Sequence, residues 1–433
     1  MKLVKSLLLG SVAGLAAVAG AQAADLPVKK AAPVEYVRVC STYGAGFFYI
    51  PGTETCLRVG GRVRADYVYG EPLVRADDAI GFRARGRIQL DARTATAYGL
   101  LRTFVRFEIT RSSGTPFGVA NTGRISQSPN VAEAFVQFGG LTAGRVVSFF
   151  SNGDLPTGHM GTLRFDDAPD VDLLAYTFSF GNGFSATISL EDGLERREGL
   201  VFGNTWANAN YAGQRAPDLV GNIKYTGTWG TAQLSGAVHQ IRSNNLMSVA
   251  TPFGVVADYP DTEYGFAVSA SVGVNLPQLA PGDALWFAAT FADGAPAYLD
   301  GGNAGTVITP FAAFENGTPT LVDASIDPVT GDLKKSRAWS IAGGLRHYWT
   351  PQIRSNFFGS YLSSDSRQAF NTPADFREYR LGANIFWQPV SGLDLGVEVI
   401  YANTDLRGIN PVTGIGYRNS NGWEGRFRVQ RDF

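Results

Sequence analysis

Apolar and polar residues alternate one by one along most of this chain. Over 57–69, Leu57, Val59, Val63, Ala65, Tyr67 and Tyr69 fall on one face, and Arg58, Arg62, Arg64 and Asp66 on the other. Over 80–93, Ile80, Phe82, Ala84, Ile88, Leu90 and Ala92 oppose Arg83, Arg85, Arg87, Gln89, Asp91 and Arg93. Over 101–110, Leu101, Val105, Phe107 and Ile109 oppose Arg102, Arg106, Glu108 and Thr110. Successive side chains of a strand point to opposite faces, so this period predicts strands. Helical spacing is nearly absent. The pattern returns at Phe184, Ala186, Ile188 and Leu190, at Leu393, Leu395, Val397, Val399 and Tyr401, and at Trp423, Phe427, Val429 and Phe433. Their polar counterparts are Ser185, Thr187, Ser189 and Glu191, then Asp394 and Glu398, then Glu424, Arg426, Arg428, Gln430 and Asp432.

Sixteen segments are predicted, at about 57–69, 80–93, 100–111, 131–138, 141–148, 172–180, 184–190, 218–225, 231–240, 263–274, 284–292, 337–349, 352–361, 377–387, 393–401 and 422–433. Their connections alternate in length. Gly139-Gly140, Gly181-Asn182-Gly183, Gly227 to Gly230 and Thr350-Pro351 are tight, while 293–336 is the longest of the intervening loops. An even strand number, with short turns on one rim and long loops on the other, is the signature of an outer-membrane barrel. The two faces agree. A barrel this wide cannot be filled by side chains, and rows of arginine buried without partners would cost several kcal/mol each. A water-filled interior removes that cost, and lipid takes the apolar face. An array of soluble β-sandwiches is the alternative. It explains neither the arginine rows nor the lack of a linker in a chain longer than the ~250–300 residues of one soluble core.

Tyr67, Tyr69, Tyr176, Tyr225, Trp229, Tyr264, Trp286, Trp339, Trp349, Tyr361, Trp387, Tyr401 and Trp423 flank the apolar faces. Rings at strand ends suit the aromatic girdles of a membrane barrel. Ordinary strand enrichment in aromatics is the bland alternative.

The N-terminus reads as a signal peptide over residues 1–23. Lys2 and Lys5 give a positive start, Leu7 to Ala19 an apolar core, and Ala21-Gln22-Ala23 a cleavage signal. A retained anchor is the other reading. Cleavage before Ala24 leaves 410 residues with a formal charge of −3, since both lysines leave with the peptide. Apart from this run, no apolar stretch approaches the ~20 residues of a membrane helix. The near-neutral charge excludes a basic nucleic-acid binder. An apolar content of 45% with 12% aromatics argues against disorder. Cys40 and Cys56 are the only cysteines. In an exported protein they predict a disulfide worth about 3 kcal/mol. Zinc is the alternative, but no histidine lies near either residue. The bridge sets off an N-terminal segment, 24–56, from a barrel over 57–433.

Several blocks resemble the alphaproteobacterial porins, the major porins of Brucella and other Rhizobiales. They are Val34–Cys40 (VEYVRVC) with Tyr43–Leu57 (YGAGFFYIPGTETCL), Gly81–Arg87 (GFRARGR), Ala132–Arg145 (AEAFVQFGGLTAGR), Leu173–Phe178 (LLAYTF) and Gly425–Phe433 (GRFRVQRDF). The terminal Phe433 also resembles the barrel-assembly signal of outer-membrane proteins. The resemblance covers the whole mature chain and is weakest over about 195–335. It implies an outer-membrane homotrimer of 16-stranded antiparallel transmembrane barrels that pass small hydrophilic solutes and ions by diffusion. In each barrel the third long loop folds inward. Here that loop is about 148–172.

This loop carries Asp154, Asp166, Asp167, Asp170 and Asp172. Folded inward, it would face a basic wall of Arg62, Arg64, Arg83, Arg85, Arg87, Arg102 and Arg106, with Arg58 beside them. Opposed fixed charges across a narrow aqueous gap align polar solutes and set ion preference. Arginine suits such a wall because it stays charged at any working pH. The alternative is that the carboxylates only solvate a loop. Phe149, Phe150 and Leu155 would wedge the loop against the wall, and Gly153, Gly158 and Gly161 would let it turn sharply.

Catalytic chemistry finds no support. His159, His239 and His347 are isolated, and His159 reads as a solvated loop residue. No nucleophile elbow or zinc-protease spacing occurs. Gly181 to Ala186 mimics a dinucleotide fingerprint but lies in a hairpin turn without a following helix. No cofactor or metal site is expected. The nearer rival is a substrate-specific channel for sugars or anionic nutrients, with Phe104, Phe358 and Phe386 as candidate inward aromatics. The mainly charged and hydroxylated lumen face favours general diffusion.

Overall fold

The computed structural model describes residues 38–72, 75, 77–119, 125–203, 207–252, 254–300, 320–367, 375–407 and 419–433. The predicted signal peptide, 1–23, lies outside them. Sixteen long strands form the wall: β1 Cys56–Gly70, β2 Ile80–Thr96, β3 Gly99–Ser113, β4 Ile125–Phe138, β5 Leu141–Val147, β6 Asp170–Gly181, β7 Phe184–Glu191, β8 Asp218–Gly227, β9 Gly230–Ile241, β10 Glu263–Asn275, β11 Ala284–Asp293, β12 Arg337–Thr350, β13 Ile353–Asp365, β14 Phe376–Val390, β15 Leu393–Leu406 and β16 Ser420–Asp432.

Each strand pairs antiparallel with its sequence neighbours. β1 and β16 then close the ring, from Arg62 opposite Asp432 to Gly70 opposite Glu424. The seam extends through Phe433, whose N–H donates to Gly61 at 3.0 Å while its carbonyl accepts from the Gly61 N–H at 2.9 Å. Closure leaves no free strand at either end of the sheet, so the ladder runs unbroken around the ring. Among the described residues there is no α-helix.

The two faces are inverted relative to a water-soluble barrel. Val59, Val63, Tyr67, Phe82, Ile88, Phe107, Ile188, Leu234, Leu381 and Val397 are exposed on the outside. Asp66, Asp91, Glu108, Glu133, Glu191, Glu378, Glu398, Arg426 and Arg428 are buried toward the interior. Most of the predicted girdle rings are outward, including Trp229, Trp349, Trp387 and Trp423. Trp286 is not. It is only 3% exposed and packs with Phe165, Ala288 and Ala342. Its position along β11 had suggested the girdle, but its parity puts it on the inner face, opposite Gly344.

The main difference in strand length is β4, which begins at Ile125 rather than near 131. Its first residues run Ile125-Ser126-Gln127-Ser128-Pro129-Asn130, mostly polar after Ile125. They carry no alternation for a sequence reading, yet they pair with Glu108–Ser113 beyond a register shift at Arg106/Phe107. Strand β6 begins at Asp170, so the third long loop spans 148–169. Asp170 and Asp172, predicted as loop residues, are therefore wall residues.

Smaller features lie beyond the wall. Cys40 and Cys56 are disulfide-bonded, and Phe48–Tyr49 adds to the edge of β1 through pairs with Leu57 and Cys56. At the long-loop end, Leu200–Phe202, Asn208–Ala209, Ala324–Ile326 and Leu333–Lys335 form a second small sheet. It joins loop 192–217 to loop 294–336.

Candidate functional site

Strand register gathers the predicted arginines. Across β1 and β2, Arg62 faces Arg87, Arg64 faces Arg85, and Asp66 faces Arg83. Across β2 and β3, Arg87 faces Glu108. Like charges directly opposite one another destabilise a sheet. Wall carboxylates relieve most of this repulsion. Arg62 pairs with Asp432 at 2.5 Å, Arg83 with Asp66 at 2.6 Å, Arg87 with Glu108 at 2.5 Å and Arg85 with Glu108 at 3.4 Å. Arg102 pairs with Asp91 at 3.0 Å, and Arg106 with Glu133 at 2.7 Å. Arg64 donates instead to the neutral Gln430 at 2.9 Å. The seven arginines thus form one wall, largely counterbalanced from within it.

The predicted acids part company. Only Asp170 meets the wall, 2.6 Å from Arg106. Asp154 pairs with Lys224 of β8 at 2.8 Å. Asp166 pairs with Arg196 at 2.8 Å and accepts from Ser151. Asp167 meets His159 Nε2 at 3.0 Å. Asp172 lies 3.7 Å from Arg145. Side-chain exposure separates them further: Asp154 and Asp167 are half exposed and Asp172 63% exposed, whereas Asp166 is 5% exposed.

Segment 148–169 is bonded to polar-face side chains of many strands. The Gln233 amide of β9 donates to the carbonyls of Phe149, Phe150 and Ser151 at 3.1–3.2 Å. Asn152 donates to Thr231 of β9 and Ser271 of β10. Glu398 of β15 accepts the N–H groups of Met160 and Gly161, each at 2.6 Å. Asn384, Arg380 and Arg426 donate to the carbonyls of Gly158, Thr162 and Met160, each at 2.8 Å. Arg164, fully buried, forks onto Glu378 at 2.7 and 3.1 Å and reaches Asp300 at 3.1 Å. Phe150 packs on Tyr298, and Leu163, Phe165 and Leu155 pack with Trp286, Phe358 and Ile400.

Two expectations about this segment change. Gly158 and Gly161 are not in the left-handed region. Their lack of a side chain gives space: a Cβ would fall on Asn356 at the first and on Ile400 and Glu398 at the second. His159 is not solvated. Its ring is 4% exposed, set against Phe165, Trp286 and Phe358. Burial alone would lower its pKa, but the Asp167 carboxylate outweighs burial and raises it. The inward aromatics are covered too. Phe104 stacks on Phe135, and Arg354 lies over Phe386.

Toward the long-loop end the segment joins a buried polar cluster. Asp218 accepts from His239 at 2.9 Å and from the Tyr298 hydroxyl at 2.7 Å. Asp323 accepts from Tyr211 and from the Glu198 N–H. Burial, with Asp300 and Asp323 nearby, pushes the Glu198 carboxyl well above the usual carboxylate range. Burial opposes the charge of Arg196, but Asp166 outweighs it. The sequence reading missed Arg164, Glu378, Arg380, Arg346 and Arg354. Parity along β12–β15 marks the last four as inward, but no local signal says which loop they meet.

With this geometry in hand, comparison with known proteins is decisive. A family model described as "Porin subfamily" matches residues 25–425. The chain belongs to the porin subfamily. Porin Omp2b of Brucella abortus and that of Brucella suis are each 31% identical over 99% of this chain and 99% of their own. The fold is shared more widely. The outer membrane channel DcaP of Acinetobacter baumannii superposes with a TM-score of 0.61 at 16% identity, covering 89% of this chain and 99% of that one. An anion-selective porin from Comamonas acidovorans gives 0.51 at 9% identity, covering 88% and 100%. This porin is an outer-membrane diffusion channel, a channel rather than an enzyme.

Proposed function

We propose that this porin passes small hydrophilic solutes and ions through a charged constriction, with segment 148–169 crossing the lumen. The observation that carries this reading is the anchoring of Met160, Gly161 and Arg164 on Glu398 and Glu378 of β15 and β14. These strands lie across the ring from β5 and β6, where the segment begins and ends. The basic wall on β1–β3 then borders the remaining aqueous gap. Asp167, half exposed and not bonded to the wall, is the acid facing it; Asp154 and Asp172 lie further to the side. Asp166 serves to hold the segment to Arg196. Transport needs no catalytic step.

The functional protein is a homotrimer in the outer-membrane lipid. Residues 1–23 are removed on export, 24–56 form an N-terminal segment closed by the Cys40–Cys56 bridge, and 57–433 form the barrel. Phe433, bonded at the seam, acts in barrel assembly.

Single-channel recording of the purified mature protein in a planar bilayer, under a KCl gradient, tests the reading. Large ohmic openings in groups of three are expected. Folded protein without conductance would overturn it.

A further inference from the structure

Among the described residues, a lumen cavity carries positive charge that its own lining does not balance. It has a volume of about 370 Å³ and lies against Thr157, at the short-turn end of segment 148–169. Arg64 of β1, Arg346 of β12, Arg354 of β13 and Arg428 of β16 all line it. Asp394 is the only carboxylate in the lining, and Arg354 takes both of its oxygens, at 3.2 and 2.8 Å. Arg428 binds Asp66 at 2.6 Å, but the same carboxylate also holds Arg83 at 2.6 Å. The other two arginines have no carboxylate partner among the described residues. Arg64 donates to the Gln430 amide oxygen at 2.9 Å, and Arg346 to the Thr157 carbonyl at 3.4 Å.

The geometry points to a binding site for a divalent oxyanion, the phosphate group of a small solute, between Arg64 and Arg346. The guanidinium plane offers paired N–H donors that match an oxyanion's edge, and it never loses its charge. Two uncompensated guanidiniums call for two negative charges. The neighbouring Arg354 is held by Asp394 and by the face of Phe386, 4.5 Å below it, so that side of the cavity is ordered without ligand. The cavity is too large for a bare chloride and roomy enough for phosphate with a small organic remainder. This inference rests on the reading of a wet lumen, and it narrows the solutes to those carrying such a group.

Calorimetric titration of the full mature porin, folded in detergent at constant ionic strength, tests it. The probes are inorganic phosphate, glucose 6-phosphate and glucose. Saturable binding of the two phosphates, one per chain, is expected, and none of glucose. Binding of inorganic phosphate without the sugar phosphate would confine the site to the free ion. Arg346→Gln and Arg64→Gln should each weaken phosphate binding about tenfold to a hundredfold, the worth of a charge-assisted hydrogen bond. Arg346→Lys, which keeps the charge and loses the fork, should fall between and covers any failure of the glutamine variant to fold. Lys334→Gln, on an outer loop, should bind as wild type. No saturable binding, or equal binding by the Arg64/Arg346 double variant, would overturn the site. Bilayer recording of the same samples separates the two readings. Conductance without phosphate binding removes the site alone; phosphate binding without conductance removes the channel reading alone.

Discussion

At the scale of single residues, His159 shows how a loop histidine becomes part of the structure. Its ring is wedged among Phe165, Trp286 and Phe358, where a charge is costly, yet Asp167 and Glu398 favour the protonated form. The partner responds in kind: partial loss of water would raise Asp167, but His159 outweighs it and lowers the carboxyl. The signs define a window. A histidine raised above its ordinary 6.5 stabilises fully below that value and loses its contribution as pH rises through the raised one. A carboxylate lowered from 3.8 stabilises above that value and fails only in stronger acid. The pair is therefore complete between these limits and weakens on the alkaline side. Hydrogen exchange of amides 157–162, corrected for intrinsic rates, should show less protection at about pH 9 than at about pH 6. Asp167→Asn should remove that pH dependence. Protection unchanged in wild type across this range would mean that the pair does not order the segment.

At the scale of elements, the strands and the third loop differ in how far a sequence discloses them. Each strand announces itself through alternation, because one face meets lipid and the other water; Val63 and Arg64 already say so as neighbours. The loop's conformation depends on partners far along the chain. Met160 and Glu398 are 238 residues apart, and Arg164 and Glu378 are 214 apart. Nothing local to the loop names those acids, so the sequence offers only an acidic arm and a basic wall. Instead its cation, Arg164, and its backbone N–H groups meet acids of β14 and β15. Removing Arg164 should be severe. Arg164→Met would leave Glu378 with Arg380 and Thr404, and would take the neighbouring positive charge away from Asp300 and Glu198. Breaking a buried pair on one side costs about 3–5 kcal/mol. That cost falls on the loop's attachment, since the wall keeps its ladder. The expected result is a barrel of normal heat-modifiable migration whose loop is cleaved by protease at least tenfold faster, with noisier and larger single-channel currents. A loop equally resistant to protease would show that Arg164 does not anchor it.

At the scale of the whole molecule, ion preference is set by where charge sits rather than by its sum. The full sequence carries a formal −1, or −3 without residues 1–23, but at 0.1 M salt a charge is screened within about 10 Å, the scale of a pore's own width. A permeating ion therefore senses the wall beside it and little else. Arg83, Arg85 and Arg87 occupy successive inward positions of β2, each within hydrogen-bond or ion-pair reach of Asp66 or Glu108. Replacing all three with glutamine removes three positive charges and leaves those carboxylates in place. Asp66 keeps Arg428, and Glu108 keeps Arg106 at 3.9 Å, so the barrel is expected to close as before. The lumen, however, gains a net negative strip. The reversal potential under a KCl gradient should move toward cation preference, by more in dilute than in concentrated salt because screening weakens as salt falls. The mirror change, Asp167→Asn, should move it the other way if that acid borders the same gap. A triple variant with the wild-type reversal potential at low salt would place these arginines outside the ion path, and the constriction would then have to lie along β12–β16, where Arg346 and Arg354 stand.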